Sequence, residues 1–217
     1  MTLKLYNFFR TSAGHRVRIA LALKGLDYEY VSVNIGPALE QRSDSYLKVN
    51  PQGLVPTLEH DGERISQSLA IIEYLEERFP EPAVLPENPI TRARARAFAC
   101  AIASEMHALN NSGLHRFLER DMNVDASLRQ KWYFHWAKQG FDALEKLLSE
   151  VEEMPFCFGT APSVADIFLV PQHLNYRRLG VPLDSYLRIN RIVERCESLS
   201  AFQEAAPEAQ PDYIDGF

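Results

Sequence analysis

Short alternations of hydrophobic and polar positions dominate the first eighty residues. Leu3-Lys4-Leu5-Tyr6-Asn7-Phe8 reads as a strand that runs into a polar turn, Arg10-Thr11-Ser12-Ala13-Gly14-His15. Val17, Ile19, Ala20, Leu21 and Leu23 give a mostly apolar helix that Gly25 terminates. Tyr28 to Ile35, rich in β-branched and aromatic residues, predicts a second strand, and Pro37 to Leu47 a weaker helical stretch. Val55-Pro56-Thr57-Leu58-Glu59 and Glu63-Arg64-Ile65 flank Asp61-Gly62, a hairpin signal. Leu69, Ile72, Leu75 and Phe79 share one stripe of a helix from Ser68 to Phe79. The order is β-α-β-α-β-β-α.

The pattern then changes. Pro80, Pro82, Pro86 and Pro89 crowd a stretch that can be neither helix nor central strand. Beyond it, helical patterns follow one another: Ile90 to about Arg120, with Gly113 as an interruption, then Leu128 to about Val151 and Ser163 to about Leu179. One or two more run from Asp184 into the Ala-rich tail. The predicted architecture is an α/β domain over 1–82, a linker over 83–89 and an all-helical domain over 90–217.

Composition narrows the function classes. In 217 residues, 23 Lys and Arg against 29 Asp and Glu leave a net charge of −6, which argues against a nucleic-acid-binding surface. No stretch approaches the ~18 apolar residues of a membrane span. The N-terminus has no apolar leader. Cys100, Cys157 and Cys196 form no C-x-x-C pair and, being odd in number, no disulfide framework. His60, His115, His135 and His173 lack any H-E-x-x-H spacing, so no metal site is expected. These features point to a soluble cytoplasmic protein with neither nucleic-acid nor membrane partners. The aromatic run Trp132, Tyr133, Phe134 and Trp136 is expected to pack the helical core or a subunit contact.

These elements resemble the glutathione transferase family, in which a thioredoxin-like α/β domain precedes an all-α helical one. Val55-Pro56 matches the family's cis-proline, which presents a backbone amide to glutathione. Gln67-Ser68 matches the helix start that binds the γ-glutamyl group, and Ser163-x-x-Asp166 matches its capping box. Arg16 to Gly25, Asn50-Pro51, Gln67 to Glu77, Leu169-Val170-Pro171-Gln172 and Ala201-Phe202 are similar to the zeta class. The segment Arg10 to Arg16, with His15 in place of a tryptophan, and His107 with Asn110-Asn111 resemble its bacterial maleylpyruvate isomerases. Where the zeta signature reads Ser-Ser-Cys-x-Trp, this chain has Thr11, Ser12, Ala13, Gly14 and His15, so the protein offers no thiol of its own there.

The resemblance implies a glutathione-dependent cis–trans isomerase acting in aromatic-acid catabolism on maleylacetoacetate, or alternatively on maleylpyruvate. A zeta-like transferase that conjugates or dehalogenates small α-haloacids is the other enzymatic reading. Such an isomerase adds a thiolate to the double bond, lets the resulting single bond rotate and expels the thiolate. Glutathione is the implied cofactor, a small dicarboxylate-type molecule the substrate, and a homodimer the assembly.

Two tasks then fall to the protein. Lowering the thiol pKa by about two requires roughly 2.7 kcal/mol of preferential stabilisation, which a couple of charge-assisted hydrogen bonds supply. Thr11 or Ser12, at the start of the first helix, would donate them; the sequence does not choose between the two. Arginines suit the substrate's carboxylates because the guanidinium fork pairs them bidentately. Arg10, just before the turn, and Arg178, which matches a substrate-binding arginine of the family, are the candidates. The resemblance assigns His15, Arg16, Gln41, Val55, Gln67, Ser68, His107 and Asn111 to glutathione.

Overall fold

The computed structural model describes residues 2–216. They form two units, one of 2–84 together with 197–216, the other of 85–196.

In the first unit, strands β1 (Leu3–Asn7), β2 (Glu29–Ser32), β3 (Thr57–His60) and β4 (Glu63–Ser66) make one sheet in the order β2-β1-β3-β4. β1 and β2 are parallel, and β3 runs antiparallel to both β1 and β4. Helix α1 (Ser12–Leu23) supplies the crossover from β1 to β2. Period-two burial on β1 places Leu3, Leu5 and Asn7 inside. Asp61 (φ 50°) and Gly62 (φ 93°) both take positive φ, the geometry of the tight hairpin turn expected of Asp-Gly. The predicted helix over 37–47 shrinks to a 3₁₀ turn at Glu40–Arg42 and one short helix, α2 (Asp44–Leu47).

Helix α3 (Ser68–Arg78) packs on α1, and so does α9 (Ser200–Ala205). Flanked on two sides, α1 buries Gly14 to Leu21 without a break, which is why its apolar pattern lacks a single stripe. Residues 197–216 thus join the first unit, in place of the single helical unit over 90–217 suggested by the sequence. The reason is polar as well as apolar: buried Arg18 donates from Nε to the Ala205 carbonyl at 2.9 Å. At the far end of α1, the fully buried ammonium of Lys24 spends its three N–H groups on Glu76 (2.6 Å) and the carbonyls of Phe79 (2.7 Å) and Pro82 (2.9 Å). The chain leaving α3 is thereby tied to α1.

The second unit contains α4 (Pro89–Cys100), α5 (Ser112–Arg120), α6 (Ala126–Ser149), α7 (Val164–Arg178) and α8 (Leu187–Glu197). Its core includes Phe98, Ile102, Phe141, Leu144, Ile167 and Phe168. Ser163 and Asp166 form the expected capping box, with the Ser163 N–H donating to Asp166 Oδ2 at 2.8 Å. Burial pushes the Asp166 carboxyl pKa up, against hydrogen bonds from Cys157 and Ser163 that favour its charged form.

The predicted interruption at Gly113 falls at Asn111 instead. After α4 the chain continues as a π-helical segment over Ala101–His107 and a 3₁₀ turn over Ala108–Asn110, then extends at Asn111. The carbonyls left open at this break are answered by the aromatic run: Trp132 Nε1 donates to Leu109 O and Tyr133 Oη to Asn110 O, both at 2.8 Å. Among the described residues, no helix is long and apolar enough to cross a membrane, and no cluster of His, Cys, Asp and Glu is arranged to hold a metal ion.

Candidate active site

The turn from β1 into α1 gathers most of the residues singled out near the N-terminus. Thr11 is the N-cap: its Oγ1 accepts from the Gly14 N–H at 3.3 Å and donates to Phe8 O at 2.9 Å. Its main chain closes the turn, Thr11 N–H to Phe8 O at 3.0 Å. Ser12 is therefore the first helical residue rather than the cap. Its hydroxyl sits at a helix start, where the dipole favours negative charge. Arg10 is exposed just ahead of it.

Further along α1, His15 and Arg16 are buried, at 3% and 1% exposure, so neither is a surface contact. Arg16 reaches the start of α3, with Nη1 at 3.5 Å from Ser68 Oγ. Complete burial lowers the pKa of its guanidinium to about 9, still well above neutrality, so α1 carries a buried positive charge toward Ser68.

The start of α3 is unusual. Gln67 precedes it with φ 72°, a left-handed conformation costly for a side chain of this size, and gives the helix no side-chain cap. The first amides of α3 therefore receive no side-chain acceptor from Gln67, and a helix start of this kind favours an anion. Gln67 Nε2 instead donates to Gln52 Oε1 at 3.1 Å.

That contact ties α3 to the 50–55 loop, which leads into the Val55-Pro56 peptide, found in the cis form. The carbonyl of Leu54, just before Val55, accepts from Tyr46 Oη (2.7 Å) and Asn50 Nδ2 (2.8 Å). Val55 itself lies outside the β1–β3 and β3–β4 registers, so its N–H and C=O are not part of either ladder. Gly53 (φ 62°) packs against the backbone of Gln41: a β-carbon there would stand 2.9 Å from Gln41 O. The side chain of Gln41 is buried with its Oε1 lacking a hydrogen-bond partner, a vacancy that a polar ligand's N–H would fill.

The other three candidates lie in the second unit. His107 closes the π-helical segment and is half-buried. Asn111 caps α5: Oδ1 accepts from Leu114 N at 2.9 Å and Nδ2 donates to Ala108 O at 2.8 Å, so both ends of its amide are engaged locally. Arg178 is the last residue of α7 and is exposed.

Sequence reasoning missed several groups that shape the site. Asn7 is fully buried, with Oδ1 3.3 Å from Thr11 Oγ1, but reads as an ordinary polar strand residue. Tyr46 and Asn50 donate to the Leu54 carbonyl across 8 and 4 residues, into a loop that carries no helix or strand pattern to report it. Arg18 of α1 and Asp212 hold the backbone polar groups of Phe9, and only the return of the C-terminal stretch to α1 brings Asp212 there.

A helix start beside a β-α turn, a left-handed residue ahead of a second helix start and a cis-proline loop between them in sequence make up this site. By its similarity to known proteins over nearly its whole length, the chain belongs to the glutathione transferase family. The pattern of the glutathione S-transferase N-terminal domain matches residues 1–77. Maleylacetoacetate isomerase of Pseudomonas aeruginosa is 44% identical over 212 residues, 97% of this chain and 98% of that protein. The holo structure of a maleylpyruvate isomerase, described as a bacterial zeta-class glutathione S-transferase, superposes with a TM-score of 0.94 at 42% identity, covering 97% of this chain and all of that one. A maleylacetoacetate isomerase from Methylobacterium extorquens AM1, solved with malonate and glutathione bound, superposes at 0.92 with 36% identity, covering 97% and 99% of the two chains. Within the family, the chain sits with the zeta class.

Proposed function

We propose that this chain is a glutathione-dependent cis–trans isomerase that converts maleylacetoacetate to fumarylacetoacetate, with maleylpyruvate as the alternative substrate. The observation that carries the reading is the division of labour at the start of α1, where Thr11 caps the helix and Ser12 opens it. A capped helix start holds its remaining amides still, and the adjacent hydroxyl can donate to a sulfur anion. Relatives of both substrate types support it.

Glutathione, when bound, supplies the thiolate that adds reversibly to the substrate double bond. The residues present fit it: the orphaned Gln41 amide end, the uncapped start of α3 and the Val55 backbone offer polar partners to a small peptide. In this reading Ser12 donates to the sulfur, while Gln67, Ser68 and the α3 amides receive the γ-glutamyl carboxylate. Val55 pairs with the cysteinyl backbone. His15 and Arg16, buried behind Ser12, act on glutathione through the positions of Ser12 and Ser68 rather than by contact. His107 and Asn111 are assigned to glutathione on the resemblance.

The substrate carries carboxylates, and the malonate bound to a relative is a small dicarboxylate. Arg10 and Arg178 are assigned to those carboxylates, where a guanidinium stabilises both the ground-state anion and the charge that spreads into the conjugated carbonyl as the double bond is lost. The assembly in this reading is a homodimer and the location cytoplasmic; light scattering that returns the mass of one chain would overturn the former.

An absorbance assay with purified protein tests the function, offering maleylacetoacetate and maleylpyruvate separately, with and without glutathione. Isomerisation that requires glutathione is expected, and the ratio of kcat/KM for the two names the preferred substrate. No isomerisation of either, with glutathione still bound, would assign the site to conjugation or dehalogenation of α-haloacids.

A further inference from the structure

Phe9 immediately precedes the Arg10-Thr11-Ser12 turn, and charged side chains hold both of its backbone polar groups. Its N–H donates to Asp212 Oδ2 at 3.3 Å, and its carbonyl accepts from Arg18 Nη2 at 3.0 Å. The β1–β2 register ends at Asn7, so Phe9 lies beyond that ladder, where these two contacts hold it. Asp212 is itself anchored to β2: Tyr30 Oη donates to Oδ1 at 2.6 Å and Ser32 Oγ to Oδ2 at 2.7 Å. The neighbouring Tyr213 ring meets Phe9 edge-on, with centroids 5.4 Å apart.

We infer that Asp212 is a positioning residue for the reaction, holding the Phe9 peptide, and through it the Thr11–Ser12 turn, where the start of α1 can stabilise a thiolate. The inference rests on the reading above that Ser12 faces the glutathione sulfur. The link is short: the Thr11 N–H closes on Phe8 O, so rotation of the Phe9 peptide shifts the cap and Ser12 together. Charge-assisted hydrogen bonds lose much of their effect on small displacements. A residue that contacts no ligand can thereby set the acidity of the bound thiol.

The direct field of Asp212 has the opposite sign. Its negative charge disfavours a nearby thiolate, so removing charge alone lowers the thiol pKa, whereas loss of positioning raises it. The other charged and titratable groups in this surround are Arg18 on α1, Tyr30 on β2 with Tyr28 ahead of it, and Glu208 in the C-terminal stretch. Arg10, His15 and Arg16 belong to the turn and to α1.

The test titrates bound glutathione by thiolate absorbance and measures kcat against pH, in the full-length protein and three variants. Asp212→Ala is expected to raise the apparent thiol pKa by about one and to lower kcat about tenfold near neutral pH. Asp212→Glu should restore part of both. Tyr30→Phe with Ser32→Ala, which frees the carboxylate from β2 but keeps it, should give a smaller rise in the same direction, and it serves if Asp212→Ala fails to fold. An unmoved pKa in a folded variant would reduce Asp212 to a structural role, and a lowered one would give the effect to its field; either overturns the inference. Wild-type protein that binds no glutathione, or leaves its thiol pKa unchanged, overturns the underlying reading instead, and the inference with it.

Discussion

Gly14 faces Asn7 across a gap that admits no side chain: a β-carbon on Gly14 would lie 1.7 Å from Asn7 Oδ1 and 2.6 Å from Thr11 Oγ1. Asn7 is fully buried at the end of β1. The close approach of α1 to β1 therefore requires glycine at this position. Gly14→Ala is expected to cost about 1–3 kcal/mol by overpacking. It should also weaken glutathione binding, because the atoms it displaces include the Thr11 cap. Thermal unfolding and calorimetric titration of glutathione check the two effects, and an unchanged Tm would show that the turn yields freely.

Thr11 and Ser12 should separate by their defects. Thr11→Val keeps the shape but loses the cap, and is expected to cost about 1 kcal/mol of stability. Ser12→Ala should leave stability nearly unchanged and lower kcat about a hundredfold, the scale of losing one donor to a developing anion. Paired measurements of Tm and kcat decide. A larger catalytic loss in Thr11→Val than in Ser12→Ala would reverse the assignment.

Arg178→Ala should raise KM for the substrate about ten- to a hundredfold, matching the ~1.5–3 kcal/mol of a charged hydrogen bond, while glutathione binding persists. Steady-state kinetics with each substrate in turn provide the measurement. An unchanged KM would remove Arg178 from the substrate's carboxylate.

His115 introduces an acid sensitivity in the second unit. Its ring stacks on Tyr133 with centroids 3.7 Å apart, and burial, then the charge of Arg129, lowers its pKa to about 4 against an opposing effect of Glu119. The unfolded chain takes up this proton near pH 6.5, before the folded one does. The stabilisation is thus complete above about 6.5 and is lost as pH falls toward 4. His115→Phe, which keeps the stack, should show a smaller drop in Tm between pH 7 and pH 5 than the parent protein. Equal drops in the two would mean that His115 titrates alike in both states.

Local patterns in the sequence were enough to place the strands, α1, α3 and the Asp61-Gly62 hairpin, and the resemblance added the Ser163–Asp166 capping box. The helices, the hairpin and the capping box depend on contacts within a few residues, and the strands on a local alternation, all of which leave periodic or spaced signals; the pairing of β1 with β2 and β3 does not. The family resemblance singles out Val55-Pro56 and Gln67-Ser68, but partners of the second pair in the fold are distant in sequence: Gln67 meets Gln52 and Ser68 meets Arg16. The choice between Thr11 and Ser12 as thiolate donor was not available from the residues alone, since both types cap helices and donate, and they differ in register by one position. The break at Asn111 was hidden for a similar reason: Gly113 is the stronger local breaker, and the carbonyl partners that make the actual break tolerable, Trp132 and Tyr133, are 23 residues from the groups they satisfy. Only the tertiary structure could bring Asp212 to the Phe9 amide across 203 residues. A single hydrogen bond between a C-terminal carboxylate and an N-terminal amide has no period, spacing or composition to announce it. It exists because α9 packs on α1 and carries the rest of the chain back to the site.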